Sequence, residues 1–253
     1  MSEPFSITDQ NILITGGTRG LGKAIALELA LAGANVIANY VRNVELAEEF
    51  ERIASEEKIS IKTIRADIAT PNGVEKLTGA VKDLDTALGS FIHCAATGVH
   101  KPFQEVTLRH FDFTYAVNVR AFLSLSQALS PLMKKDSSII ALSSIGAVRA
   151  VDQYALTGSS KGALESMVRH LAAELAPREI RVNCVSPGTV KTDAWKILPN
   201  SEERLVHAAE QSPRNRLTTL EEVARVVRFL CSSASNGIIG QTIVVDNGCR
   251  IME

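Results

Sequence analysis

Two stretches of this 253-residue chain combine residue types and spacings that could do chemistry. One is Tyr154-Ala-Leu-Thr-Gly-Ser-Ser-Lys161, which sets a phenol, an acid of pKa ~10, and an amine on either side of a small-residue run. The other is Thr15-Gly16-Gly17-Thr18-Arg19-Gly20-Leu21-Gly22, which joins an apolar run to a segment of helical periodicity. Small residues at such a junction let backbone N–H groups and a helix N-terminus approach a pyrophosphate, whose charge the helix dipole favours. A glycine trio alone is a weak signal. One that follows a strand, opens a helix and lies in the first βαβ unit points to a dinucleotide.

The residues after the second apolar run select between dinucleotides. An NAD site usually offers Asp or Glu there to the ribose hydroxyls, whereas this chain reads Asn39-Tyr40-Val41-Arg42-Asn43. No carboxylate stands there to repel a 2′-phosphate, and Arg19 and Arg42 are cations able to hold one through charge-assisted hydrogen bonds, so NADPH is the expected cofactor. Asp67-Ile68 ends the third run, where the Asp carboxylate can accept from the adenine amine or cap the following helix. Both readings stay open.

These groups need a scaffold that brings them together. Short apolar runs at 11–15, 35–40, 61–66, 89–95, 138–143, 180–185 and 242–246 read as buried strands. Between them, segments at 22–34, 43–58, 73–84, 108–135, 162–177 and 220–233 carry apolar residues at helical spacing. The alternation predicts an α/β fold, a single-domain Rossmann-like doubly wound parallel sheet. The stretch 188–217 follows a strand without clear periodicity and is expected to form a substrate lid.

Composition narrows the function. A formal net charge of −1 and no Lys/Arg-rich run leave no broad footprint for nucleic acid or an anionic membrane. The N-terminus lacks a signal-peptide pattern and no apolar run is long enough to span a bilayer, so a cytoplasmic protein is expected. Cys94, Cys184, Cys231 and Cys249 are far apart and show no metal-ligand spacing, which suits buried thiols in a reducing compartment.

The glycine loop, Asn118, Ser144, Tyr154, Lys161 and the stretch VSPGTVKTDA occur in an order that resembles the short-chain dehydrogenase/reductase family over essentially the whole chain. The passages AATGVHKPFQEV, SSIGAVRAVDQYALTGSSKGALE and GQTIVVDNG look most like its enoyl-acyl-carrier-protein reductase III branch, whose members share the longer Tyr-to-Lys interval. The commoner family pattern has its Tyr where this chain has Thr157, whose hydroxyl is no acid of pKa ~10. A shift of three residues moves a donor by about one helical turn, ~4.5 Å. Reduction of a 2,3-enoyl thioester sends hydride to C3 while charge develops on the C1 carbonyl oxygen, so a displaced acid suits it.

The resemblance implies NADPH-dependent reduction of an enoyl thioester on acyl carrier protein, the last reduction of a fatty-acid elongation cycle, by a homotetramer. Tyr154 is the implied acid, and Lys161 holds the nicotinamide ribose and lowers the Tyr154 pKa. Ser144 orients substrate or Tyr154, with Ser143 as the alternative. Asn118 kinks its helix and holds a water leading to Lys161, or is a buried amide. Ala95, Pro187, Gly188, Val190 and Thr192 join the cofactor residues. Val99, Phe103, Trp195, Ile197 and Leu198 wall an acyl chain, and Arg120, Lys134, Lys191, Lys196, Arg204, Arg214 and Arg216 supply a basic dock for the acidic carrier. The clearest departure is His93-Cys94-Ala95-Ala96 in place of Asn-Asn-Ala-Gly; His93 is expected to be structural and Cys94 filler. A carbonyl reductase, 3-oxoacyl or other, and a silent NADP(H)-binding sensor or scaffold are the alternatives.

Overall fold

A computed structural model describes residues 3–192 and 201–252. Seven strands of the described residues, β1 (Asn11–Thr15), β2 (Asn35–Tyr40), β3 (Ile61–Arg65), β4 (Leu88–His93), β5 (Met133–Leu142), β6 (Ile180–Pro187) and β7 (Thr242–Val245), form one sheet ordered β3-β2-β1-β4-β5-β6-β7. Every pairing is parallel. The predicted α/β doubly wound fold is therefore present.

Both faces of the sheet are covered, as the continuous apolar runs require. Leu13, Ile37, Phe91, Ile139 and Val182 enter one core, together with Leu77 of α3 (Pro71–Lys82), Leu125 of α5 (Ala121–Leu129) and Leu164 of α6 (Ala155–Leu175). Their strand neighbours Ile12, Ile14, Val36, Ile92, Ile140 and Val185 enter the other. They meet Leu29 of α1 (Gly20–Leu31), Phe50 of α2 (Val44–Glu56) and Val227 of α8 (Leu220–Cys231). Strand side chains alternate between faces, so one sequence run supplies both layers. The strand order reverses between β1 and β4, and the crevice beyond the strand ends at such a switch point is where α/β sheets bind ligands.

Two elements depart from expectation. The single helix expected over 108–135 is α4 (Leu108–Tyr115), a π turn at Ala116–Arg120, α5, and a short 3-10 turn. Pro131 cannot extend the α-helix, and β5 begins at Met133, with a register shift against β4 and Asp136 in the left-handed region at φ 61°. Within the stretch expected to lack periodicity, α7 (Ser201–Glu210) forms as a largely polar helix; Leu205 is its one buried residue among those described.

The last helix is pinned by a carboxylate. Thr219 and Glu222 form a reciprocal capping box at the start of α8. Glu222 also accepts from both Arg216 terminal nitrogens, at 2.9 and 2.6 Å, and from Asn247 at 3.3 Å. These hydrogen bonds, Arg216 first, hold its carboxyl down at about 2. A depressed carboxyl pKa means stability that is complete above the unfolded-state value and lost as pH falls toward 2. Glu222→Gln is expected to lower Tm by roughly 2–4 °C at pH 7, with the gap to the wild type closing between about pH 5 and 2 in thermal melts.

Candidate active site

The glycine loop runs from the end of β1 into α1, and its shape depends on missing Cβ atoms. Gly16 has φ +67°, and a Cβ there would stand 2.9 Å from the Ala95 Cα; Gly20 has φ +52°. Thr192 arches over Gly20, its Cγ2 3.6 Å from where a Cβ would be. Thr18 is buried, and Leu21 packs on the second core. Gly16, Gly20, Gly22, Ala95 and Thr192 are thus gathered at the N-terminus of α1. A helix N-terminus opened by a glycine loop is an arrangement that suits a pyrophosphate.

The cations beside the loop are unengaged. Arg19 and Arg42 are exposed, and among the described residues neither guanidinium makes a hydrogen bond or ion pair. Asn39 is 1% exposed, and its amide nitrogen donates to the Ile64 and Ala66 carbonyls at 3.2 and 2.9 Å, so the side chain braces β2 against β3. Asp67 accepts from the Ala69 N–H at 3.0 Å through one oxygen, while the Ile68 side chain joins the first core. The turn at Pro187-Gly188 lies against β7: the Gly188 N–H donates to Val245 at 2.8 Å, and Val190 bridges to Thr218.

Tyr154, the expected acid, lines a groove with Phe103, Gly146 and Gly158. Tyr154 is the N-cap of α6, and its carbonyl accepts from the Gly158 N–H at 2.7 Å, so it lies one turn before Thr157. Its phenol donates to Ser144 Oγ at 3.4 Å. Ser144 Oγ also accepts from the Gly146 N–H, and Gly146 needs to be glycine, since a Cβ would fall 2.5 Å from the Tyr154 ring. Ser143 is committed elsewhere, donating to Glu165 Oε1 at 2.6 Å. Thr157 is 6% exposed, and its hydroxyl has no partner and presses on Gly98, where a Cβ would lie only 2.0 Å away.

Lys161 is 4% exposed, and its ammonium donates to the Leu142 carbonyl at 2.7 Å. Burial lowers its pKa. The expectation that it lowers the Tyr154 pKa is not met: burial raises the phenol, and the opposing influence is the Ser144 hydrogen bond. The ammonium is turned toward the end of β5, which explains the difference.

Asn118 sits in the π turn, a helical distortion frequent at functional sites. Its amide is fully used as a brace, accepting from the Thr97 N–H at 2.9 Å and donating to Thr97 O and Ser160 Oγ at 2.8 and 2.9 Å. His93 is structural, as expected. It is wholly buried, with Nδ1 3.1 Å from the Thr15 hydroxyl, and burial followed by the charge of Lys161 brings its pKa to about 3. The Val117 and Asn118 carbonyls pull weakly the other way, though Nε2 has hydrogen-bond geometry to neither. The Cys94 thiol is pushed up to about 12 by burial, so it is no nucleophile.

A family model described as enoyl-(acyl carrier protein) reductase matches residues 16–250. The chain belongs to the short-chain dehydrogenase/reductase family. It is 36% identical to 1-cyclohexenylcarbonyl-CoA reductase of Streptomyces collinus, over 95% of this chain and 86% of that one. A short-chain dehydrogenase from Burkholderia cenocepacia, solved in complex with NADP, superposes with a TM-score of 0.89 at 28% identity over 97% of this chain and 99% of that one. L-Sorbose reductase from Gluconobacter frateurii, solved with NADPH and L-sorbose, gives 0.90 at 27% identity over 98% of each.

Three of the seven cations expected to form a basic dock already have partners within the chain. Arg216 is held by Glu222, Arg214 lies 3.8 Å from the same carboxylate, and Arg120 donates to the Ala69 carbonyl. Lys196, with Trp195, Ile197 and Leu198 of the expected acyl wall, lies outside the described residues. Phe103 is 76% exposed and lines a groove that reaches Tyr154. Sequence reasoning missed His100, whose ring packs 5.3 Å from that of Tyr154, and Glu165, one turn after Lys161 on α6. A lone loop histidine carries no periodic signal. The buried acid could have been found from its helical spacing to Lys161.

Proposed function

We propose that this protein reduces the 2,3 double bond of an enoyl thioester with NADPH, on acyl carrier protein and as the last reduction of fatty-acid elongation. The observation that carries the reading is the displaced acid. Thr157 stands where a ketone-reducing relative would carry its tyrosine and is walled off by Gly98, while Tyr154, one turn earlier, presents its phenol beside Ser144. Support comes also from the Streptomyces relative, whose name makes it a reductase of a cyclohexenylcarbonyl thioester.

NADPH supplies hydride to C3 when bound. Tyr154 donates a hydrogen bond to the C1 oxygen as charge develops there, an interaction worth ~3–4 kcal/mol at such oxyanion sites. Its raised pKa keeps the phenol protonated and able to donate. The phenol has one proton, so it turns from Ser144 Oγ to the C1 oxygen when substrate binds, and the Ser144 hydroxyl then donates to the phenol oxygen. Lys161 braces the end of β5, and its ammonium would hold the nicotinamide ribose when the cofactor is bound.

Arg19 and Arg42 select the phosphorylated cofactor. Replacing both with Ala is expected to weaken NADPH binding by roughly tenfold to a hundredfold per lost charge-assisted contact while leaving NADH binding within about twofold, by fluorescence titration. The reading itself is tested by NADPH consumption with crotonyl and acetoacetyl thioesters, each on acyl carrier protein and on coenzyme A. Turnover of the crotonyl substrates supports it, and the preferred carrier identifies the partner. Brisk turnover of acetoacetyl with none of crotonyl replaces it with carbonyl reduction.

A further inference from the structure

Enoyl reduction needs three deliveries: hydride to C3, a hydrogen bond to the C1 oxygen, and a proton to C2. The last has no acid of suitable strength in the groups described so far, since the Ser144 and Thr157 hydroxyls are only weakly acidic. The Lys161 ammonium is buried and bonded to Leu142 O, the Asn118 amide is consumed by Thr97 and Ser160, and Ser143 is held by Glu165. His93 is sealed in the core, and the thiols of Cys94 and Cys184 are held at about 12 by burial.

His100 stands apart from these. It lies on the loop after β4, its ring 5.3 Å from that of Tyr154 and tilted 53° to it, and it is exposed to solvent. Its imidazole therefore touches the acid that serves the carbonyl oxygen and also communicates with water. C2 is bonded directly to the carbonyl carbon, so a donor beside the Tyr154 ring is on the correct part of the substrate.

Resting on the enoyl-thioester reading, we infer that His100 is the acid that protonates C2. Hydride addition at C3 leaves an enolate, its oxygen hydrogen-bonded by Tyr154. The enolate electron pair then forms the C2–H bond as an imidazolium N–H bond of His100 breaks, giving the saturated thioester and neutral imidazole. Solvent water returns the proton, and the electrons balance because NADPH is oxidised to NADP+. Partial burial, and then the positive charge of Arg204 on α7, lower the His100 pKa, so its imidazolium is a stronger acid than a free one but a scarcer one near neutral pH, and kcat is expected to fall as pH rises.

The test uses His100→Gln with crotonyl-coenzyme A, in H2O and D2O, with NADPH and with NADPH deuterated at the transferred position. The expected result is a kcat lower by roughly tenfold to a hundredfold, with NADPH affinity and Tm unchanged. The D2O isotope effect on kcat rises and the deuterated-NADPH effect falls toward unity, because protonation has become slow. Unchanged kinetics overturn the inference. A lower kcat with both isotope effects unchanged also overturns it, and assigns His100 to holding Tyr154. A wild-type protein inactive on the crotonyl substrate removes the enoyl reading first, and the His100 assignment with it.

Discussion

Tyr154→Phe is expected to lower kcat/KM for the enoyl thioester by about 10³-fold while NADPH affinity stays within about twofold. The substitution keeps the ring that packs against Gly146 and His100 and deletes only the hydroxyl directed at Ser144. Removing one donor from an oxyanion site costs about 10²–10³ in kcat, and loss of a positioned acid adds to that. Thr157→Val is the matched control. Its hydroxyl is buried without a partner, so an isosteric methyl leaves activity within about threefold and stability unchanged or slightly higher. If the two variants behaved alike, either both active or both inactive, the acid would not be Tyr154. Steady-state kinetics on crotonyl thioesters and cofactor titration settle the pair.

The pair also shows what the sequence could and could not disclose. The residue interval placed Tyr154 one turn early, and the structure keeps that displacement, because an i to i+4 hydrogen bond from Gly158 fixes Tyr154 as the helix N-cap. Strands were legible for a related reason. Runs such as Asn11–Thr15 are buried on both faces, so their apolar character is continuous. The π turn at Asn118 was not legible: one extra residue in a helix leaves composition and approximate periodicity intact. The orientation of Lys161 was not legible either. Its ammonium is held by a main-chain carbonyl at the end of β5, and a carbonyl has no signature in the sequence. Charge patterning did not disclose the Arg216–Glu222 pairing either, since it depends on the capping of α8.

Gly22→Ala is expected to weaken NADPH binding by at least about a hundredfold and to lower Tm. Arg19 is the N-cap of α1, and Gly22 lies in that helix's first turn, facing back at the loop; a Cβ there would fall 2.0 Å from the Gly16 carbonyl oxygen and 3.2 Å from the Gly17 Cα. Both obstacles are backbone, so no side-chain rotation relieves the clash. Either α1 moves off β1 or the loop opens, and Gly16 has little room to move because Ala95 of the β4 loop lies against it. Overpacking of this kind costs typically 1–3 kcal/mol, or roughly 2–12 °C in Tm for a domain this size. The loss of binding exceeds the loss of stability because the phosphate-facing N–H groups belong to the displaced segment. Gly79→Ala gives the contrast: a Cβ there meets nothing within 4 Å on helix α3, so the substitution is expected to raise Tm by a few degrees and leave binding alone. Thermal melts with and without NADPH separate the two effects. A Gly22→Ala protein with wild-type NADPH affinity would show that the cofactor phosphates are held elsewhere.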